Sequence, residues 1–152
     1  MVEEIRVVAG ECTTEFEGRR ELTQRGHVVC VCKPDGTVLV HDADGYQPVA
    51  WLTRADAVSI AGDPPTVEAR ADDGRLVAEF HGVRGRASYP AGVAGVPVGD
   101  CPDCGGRLVR AGGRVTCVGA GCDADYGLPS GATVLGTTCD CGLPRLRVER
   151  GA

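Results

Sequence analysis

Cys101-Pro102-Asp103-Cys104-Gly105-Gly106, followed by Cys117 and Cys122, is the stretch whose residue types and spacing carry chemistry. Two cysteines with two residues between them make a tight knuckle. The glycines behind it let the backbone turn so that its amides face the sulfurs. Twelve residues later come two more cysteines, separated by four. Between the pairs lie Arg107-Leu108-Val109-Arg110, then Ala111-Gly112-Gly113, then Arg114-Val115-Thr116, which reads as two short arms around a turn. This pattern predicts a hairpin that gathers Cys101, Cys104, Cys117 and Cys122 into one tetrahedral four-thiolate site, the closed arrangement of structural zinc. The competing reading is four free or disulfide-bonded thiols, but knuckle spacing suits one metal better than two bridges. One structural Zn2+ is the expected cofactor.

The elements that must position such a site are strands. The chain has 152 residues and an apolar fraction of 43%, yet only two Phe, one Trp and three Tyr to fill a core. With 23 Gly and nine Pro it is rich in turns, which favours short strands over helices. Apolar runs at Ile5–Val8, His27–Cys32, Thr37–Val40, Thr66–Ala69 and Arg75–Phe80 alternate with turn signals. Pro34-Asp35-Gly36 and Asp72-Asp73-Gly74 separate neighbouring runs at hairpin length. Ala55 to Ala61 reads equally as a short helix or a strand. Cys30 and Cys32, two apart on an apolar strand, share one face and suit core packing. Residues 1–86 should form a small antiparallel barrel or sandwich, mainly β. Residues 87–98 are Gly- and Pro-rich without periodicity and read as a linker to a second small domain over residues 99–152.

Charge narrows the partners. The net charge is −5, and Lys33 is the single lysine among 16 basic residues. Residues 1–99 hold ten basic and fifteen acidic side chains, and the remainder six of each. Four ionised thiolates around one divalent ion would add negative charge to the second segment. Any nucleic-acid contact must therefore come from a local cluster of arginines rather than from overall charge. No apolar run reaches membrane-spanning length, and the acidic start Met1-Val2-Glu3-Glu4 lacks a signal-peptide pattern. Nine cysteines, an odd number, fit a metal-bound set in a reducing interior better than a secreted disulfide scaffold. The expectation is a cytoplasmic protein with no membrane partner.

Two resemblances sharpen these expectations. Asp35-Gly-Thr-Val-Leu-Val-His-Asp-Ala-Asp-Gly-Tyr-Gln-Pro-Val-Ala-Trp51, with Cys12-Thr-Thr-Glu-Phe16-Glu-Gly18-Arg19 upstream, resembles the N-terminal DNA-binding domain of the NucS (EndoMS) mismatch and branched-DNA endonuclease family. The likeness covers roughly residues 5–85. It implies a half-closed antiparallel β-barrel of pleckstrin-homology-like (PH-like) type that grips single-stranded or branched DNA. Arg19 matches the family arginine that contacts DNA, and Trp51 matches the tryptophan on which a base stacks. Both types suit the task, since indole stacking tolerates any base and guanidinium pairs with phosphate in a fork. The chain departs from the pattern at Gln47, which stands where a basic residue is expected, and at Ala50, which replaces an asparagine. The first change removes one cation from the expected DNA contact. The family's nuclease chemistry resides in a separate domain with acidic residues and a lysine, and no Asp/Glu plus Glu-x-Lys arrangement occurs here. The expectation is a protein that is not an enzyme.

The second segment, Cys101 to Pro129, resembles the C-terminal zinc fingers of type IA DNA topoisomerases. Cys101-Pro-Asp-Cys-Gly-Gly-Arg-Leu108 opens the likeness, and Cys122-Asp-Ala-Asp-Tyr126-Gly-Leu128-Pro129 closes it. It implies a zinc ribbon that binds single-stranded DNA or protein partners, with Arg110 and Arg114 on the basic hairpin as candidate contacts. Cys139-Asp-Cys141-Gly-Leu-Pro looks like the opening knuckle of a following finger, one residue short and with no second pair after it. Together these readings predict a non-catalytic, zinc-containing protein for single-stranded or branched DNA in repair or replication. The alternatives are an adaptor that docks a protein through the ribbon, and an accessory subunit of a nuclease whose catalytic domain lies on another chain. A nuclease, a topoisomerase or another repair protein is the protein partner these alternatives imply.

Overall fold

The computed structural model describes residues 3–148, which form strands and connecting turns with no helix. The chain divides into two compact units, one over Glu4–Pro90 and the other from Ala91 onward.

The first unit is one seven-stranded antiparallel sheet made from β1 (Glu3–Glu17), β2 (Glu21–Cys32), β3 (Val38–His41), β4 (Ala50–Leu52), β5 (Ala57–Ala61), β6 (Thr66–Ala71) and β7 (Gly74–Ala91). Strand order is β4-β3-β2-β1-β7-β6-β5. The sheet curls on itself as a half-barrel, and the Asp56 N–H donates to the Arg70 carbonyl at 2.8 Å where the edge strand turns back onto β6. Period-two burial drives the curl: Val8, Cys12 and Thr14 on β1, Cys30 and Cys32 on β2, and Val38 and Val40 on β3 all point inward. Val67, Ala69, Leu76, Ala78 and Phe80 line the opposing wall.

Aromatic residues are scarce, so the interior is filled by small and β-branched side chains and by sulfur. Burial raises the Cys12 thiol pKa, and contact with Cys32 followed by burial raises that of Cys30. These thiols therefore stay protonated and behave as small apolar side chains.

Several sequence expectations change in extent. β1 runs through 15 residues where only Ile5–Val8 stood out, because its second half alternates cysteine and threonine inward with charged residues outward. Ala55–Ala61, undecided between helix and strand, contributes a strand over Ala57–Ala61. The segment read as a linker over 87–98 is mostly strand: β7 continues to Ala91, and β8 begins at Val96. Both glycines of the segment, Gly92 and Gly95, lie in the four residues between the two strands.

The second unit holds a four-stranded sheet of β8 (Val96–Asp100), β9 (Arg107–Ala111), β10 (Arg114–Cys117) and β11 (Asp125–Gly127), in order β11-β10-β9-β8. A separate two-stranded ribbon pairs β12 (Thr133–Thr138) with β13 (Pro144–Arg147). Leu108 and Val115 are the buried apolar centre of the sheet, packed against Val98, Tyr126, Leu128 and Leu143. That is a small core for an independent unit, and small cores need a staple.

Candidate functional site

The staple is built from the two turns at one end of the four-stranded sheet. Cys101 and Cys104 lie between β8 and β9, while Cys117 ends β10 and Cys122 lies in the loop to β11. The β9–β10 hairpin turns at the opposite end through Gly112, whose φ of 59° places it in the left-handed region. Antiparallel pairing of β9 with β10 thus brings the two cysteine pairs face to face. Their four sulfurs lie within 4.8 Å of one another. Cys101 Sγ is 3.8 Å from Cys122 Sγ, and Cys104 Sγ is 3.5 Å from Cys117 Sγ. Zinc–sulfur bonds of about 2.3 Å in a tetrahedron place sulfurs about 3.8 Å apart, so the set fits zinc.

The surroundings fit an anionic cluster as well. The Gly106 N–H donates to Cys104 Sγ at 3.3 Å and the Gly119 N–H to Cys117 Sγ at 3.2 Å. A Cβ at Gly106 would lie 3.1 Å from Cys104 Sγ, and one at Gly119 would lie 3.0 Å from the same sulfur. Both positions are therefore held open by glycine for the sulfurs.

Protonation equilibria point the same way. Burial opposes ionisation of Cys101, but the amides of Cys104 and Asp103 and the neighbouring thiols bring its pKa below the ordinary value. The Ala124 amide favours a Cys122 thiolate, yet Cys104, burial, Cys101 and Cys117 together push its pKa up to about 12. Without a cation the four groups must share protons, and a divalent ion removes that conflict. All four coordination positions are filled by protein, so zinc here would supply a cross-link and no open site for chemistry. Gly119→Ala should weaken metal retention at least several-fold in a chelator competition while leaving the first unit's melting temperature unchanged. Equal retention would show that the glycine is not a spacer for the sulfurs.

The first unit carries a second constellation. The β1–β2 hairpin turns through Gly18-Arg19-Arg20, with Glu17 opposite Glu21 at its neck. Gly18 is required there, because a Cβ would lie 2.7 Å from the Asp73 carbonyl. Phe16, Arg19, Arg20, Ala50 and Trp51 line one concavity of about 300 Å³. Trp51 sits on β4 between the inward-facing Ala50 and Leu52, so alternation turns its indole outward, and it is 41% exposed. The Arg20 guanidinium lies 5.4 Å from the indole centroid, a cation–π contact.

Of the sequence-chosen residues, Arg19 and Trp51 are therefore neighbours, while Arg110 and Arg114 belong to the second unit. Arg110 is exposed on β9. Arg114 is engaged by Asp125 through contacts of 2.6 to 3.1 Å and holds the Asp125 carboxyl below its ordinary pKa. Sequence reasoning passed over Arg20 as an indole partner. The signal was present in the three-residue turn, which splays two successive arginines to one side of the hairpin.

Relatives share these parts separately. Over 56 residues the chain is 34% identical to an endonuclease NucS from Aeropyrum pernix, covering 36% of this chain and 22% of that protein. Over 71 residues it is 37% identical to endonuclease NucS 2 of Halobacterium salinarum, covering 46% and 25%. A DNA topoisomerase 1 from Methanothermobacter thermautotrophicus matches at 44% identity over 61 residues, covering 35% of this chain and 8% of that protein. The chain thus spans a quarter or less of the length of each of these relatives. Among solved structures, an EndoMS–double-stranded DNA complex aligns with a TM-score of 0.53 and 23% identity, over 60% of this chain and 40% of that one, which shows the shared fold. The half-barrel, its curled seven-stranded sheet and the family match over residues 2–94 lead to one conclusion: the chain belongs to the family described as the endonuclease NucS N-terminal PH-like domain.

Proposed function

We propose that this chain is a non-catalytic, zinc-containing DNA-binding protein that grips single-stranded or branched DNA in repair or replication. The observation that carries this reading is the Arg19–Arg20–Trp51 concavity on the half-barrel. It joins an outward indole to two cations on one short turn. An exposed indole offers a base a stacking surface, and the flanking guanidiniums reach the phosphates on either side. Ala50 lines the same concavity and leaves it apolar beside the ring. Arg19 has no ion-pair partner among the described residues, so it is available to a phosphate.

The family match covers the domain that is not the catalytic part of the nuclease. Two binding units on one chain would raise avidity for a DNA that engages both. A second reading is favoured by Arg114: because Asp125 holds it, the ribbon face offers fewer free cations to DNA and suits a protein partner better. In that reading the ribbon docks a nuclease, a topoisomerase or another repair protein.

The test is a binding titration against single-stranded, duplex and forked DNA at two salt concentrations. Single-stranded or forked DNA should bind more tightly than duplex, with affinity falling as salt rises. No nicking of forked or mismatched DNA should accompany binding in magnesium or manganese. Salt-independent affinity, or cleavage that stays with this chain through purification, rejects the proposal.

A further inference from the structure

The turn between β12 and β13 repeats the backbone of the first cysteine knuckle, one residue shorter. In the first turn, the Cys101 N–H donates to the Gly106 carbonyl at 2.7 Å, and the Gly105 N–H donates to the Cys101 carbonyl at 2.8 Å. In the second, the Cys139 N–H donates to the Leu143 carbonyl at 2.8 Å, and the Gly142 N–H donates to the Cys139 carbonyl at 2.9 Å. The glycine closing each turn is left-handed, with φ of 76° at Gly105 and 95° at Gly142. Each turn also joins two adjacent antiparallel strands.

This second knuckle is held in place. The Asp100 N–H donates to the Gly142 carbonyl at 2.8 Å. A Cβ at Gly99 would lie 2.4 Å from that carbonyl, and one at Gly142 would lie 2.5 Å from the Asp100 carbonyl. Two glycines thus let the turn sit directly on β8.

The pair it presents is incomplete. Cys139 and Cys141 are both exposed, whereas Cys12, Cys30 and Cys32 are sealed in the barrel core. Among the described residues, the Cys101 cluster is the one group of metal-capable side chains close enough to hold an ion. Two thiolates alone do not close a tetrahedral site.

We propose that Cys139 and Cys141 form half of a second zinc site, completed by the same pair from a second copy of this chain. The four-stranded sheet gathers four sulfurs by setting two cysteine-bearing turns face to face. A two-fold axis through the ion would supply the missing knuckle from an identical exposed turn. The proposal is independent of DNA binding.

Cobalt(II) titration of reduced, metal-free protein, read by thiolate-to-cobalt absorption, tests it. The chain should saturate near about 1.5 ions per chain, and the Cys139→Ser/Cys141→Ser variant near about one, because a shared tetrahedral site counts half per chain. The last portion should weaken on dilution, since it needs two chains. The double variant replaces exposed residues only, so its remaining cobalt spectrum verifies that the first site still folds. Saturation of the unaltered chain near about one ion means the pair is idle, and near about two means each knuckle takes its own ion; either overturns the proposal. So does a last step that ignores protein concentration or survives in the double variant.

Discussion

Cys104→Ser should cost the second unit about one metal ion per chain and, with it, its folded structure. Apparent zinc-binding energies in small thiolate sites are about 10–16 kcal/mol near neutral pH, and in a unit with so few buried apolar residues that energy is folding energy. Metal analysis of the purified variant, with limited proteolysis of the region after Ala91, reads both effects. The half-barrel has its own core in Val8, Val40, Val67, Leu76 and Phe80, so its melting should persist. The same site sets a pH dependence. Bound thiolates are ionised, while thiols of the unfolded chain are protonated below about pH 8.5, so unfolding takes up protons. Stability from the metal is therefore full at alkaline pH and declines as pH falls, with release of the ion at the acid end. Protein prepared under reducing conditions with no zinc, or a Cys104→Ser chain that folds as well as its parent, would refute this account.

Trp51→Ala should weaken single-stranded DNA binding by about 1–3 kcal/mol, the usual worth of one base–aromatic stack, with an unchanged salt slope. Arg19→Ala should instead reduce the salt slope by about one, because it removes one phosphate contact and the counterion that contact releases. The two variants separate stacking from charge. Trp51 is 41% exposed and its neighbours Ala50 and Leu52 carry the inward packing, so its loss should leave the barrel folded. Circular dichroism and melting temperature verify that point. A folded Trp51→Ala chain with undiminished affinity, together with an unaltered slope in Arg19→Ala, would discard the concavity as the DNA contact and leave the protein-docking reading of the ribbon.

The contrast between Arg19 and Arg114 shows why a motif is an incomplete guide to a binding face. Both are arginines on tight hairpins, and sequence alone nominates them equally. Pairing β10 with β11 sets Asp125 diagonally from Arg114, where it takes the guanidinium in a bidentate grip. No such partner meets Arg19 among the described residues. Arg20, by contrast, gains its relation to Trp51 only through the curl of the sheet: β3 pairs with the far end of β2, Val29–Cys32, and the β1–β2 turn meets β4 where Phe16 and Leu52 both approach Gly74.

The amino-acid sequence by itself determined the β class, the family of the first unit and the cysteine quartet. The β class and the quartet rest on local rules: alternation of inward and outward residues, glycine and proline at turns, and ligand spacing that a single hairpin converts directly into geometry. The family rests on the motif resemblance at Cys12–Arg19 and Asp35–Trp51. Strand extent was not local. β1 reaches Glu17, and the supposed linker becomes the ends of β7 and β8, because a neighbouring strand's hydrogen bonds override weak intrinsic preference. The likeness of the Cys139 turn to the Cys101 knuckle was legible as a motif one residue short, but the matching backbone hydrogen bonds of the two turns were not. Only the tertiary structure decided which side chains meet across the barrel, since contacts such as Arg20 with Trp51 depend on how the sheet curls and not on neighbours in the chain or on strand pairing.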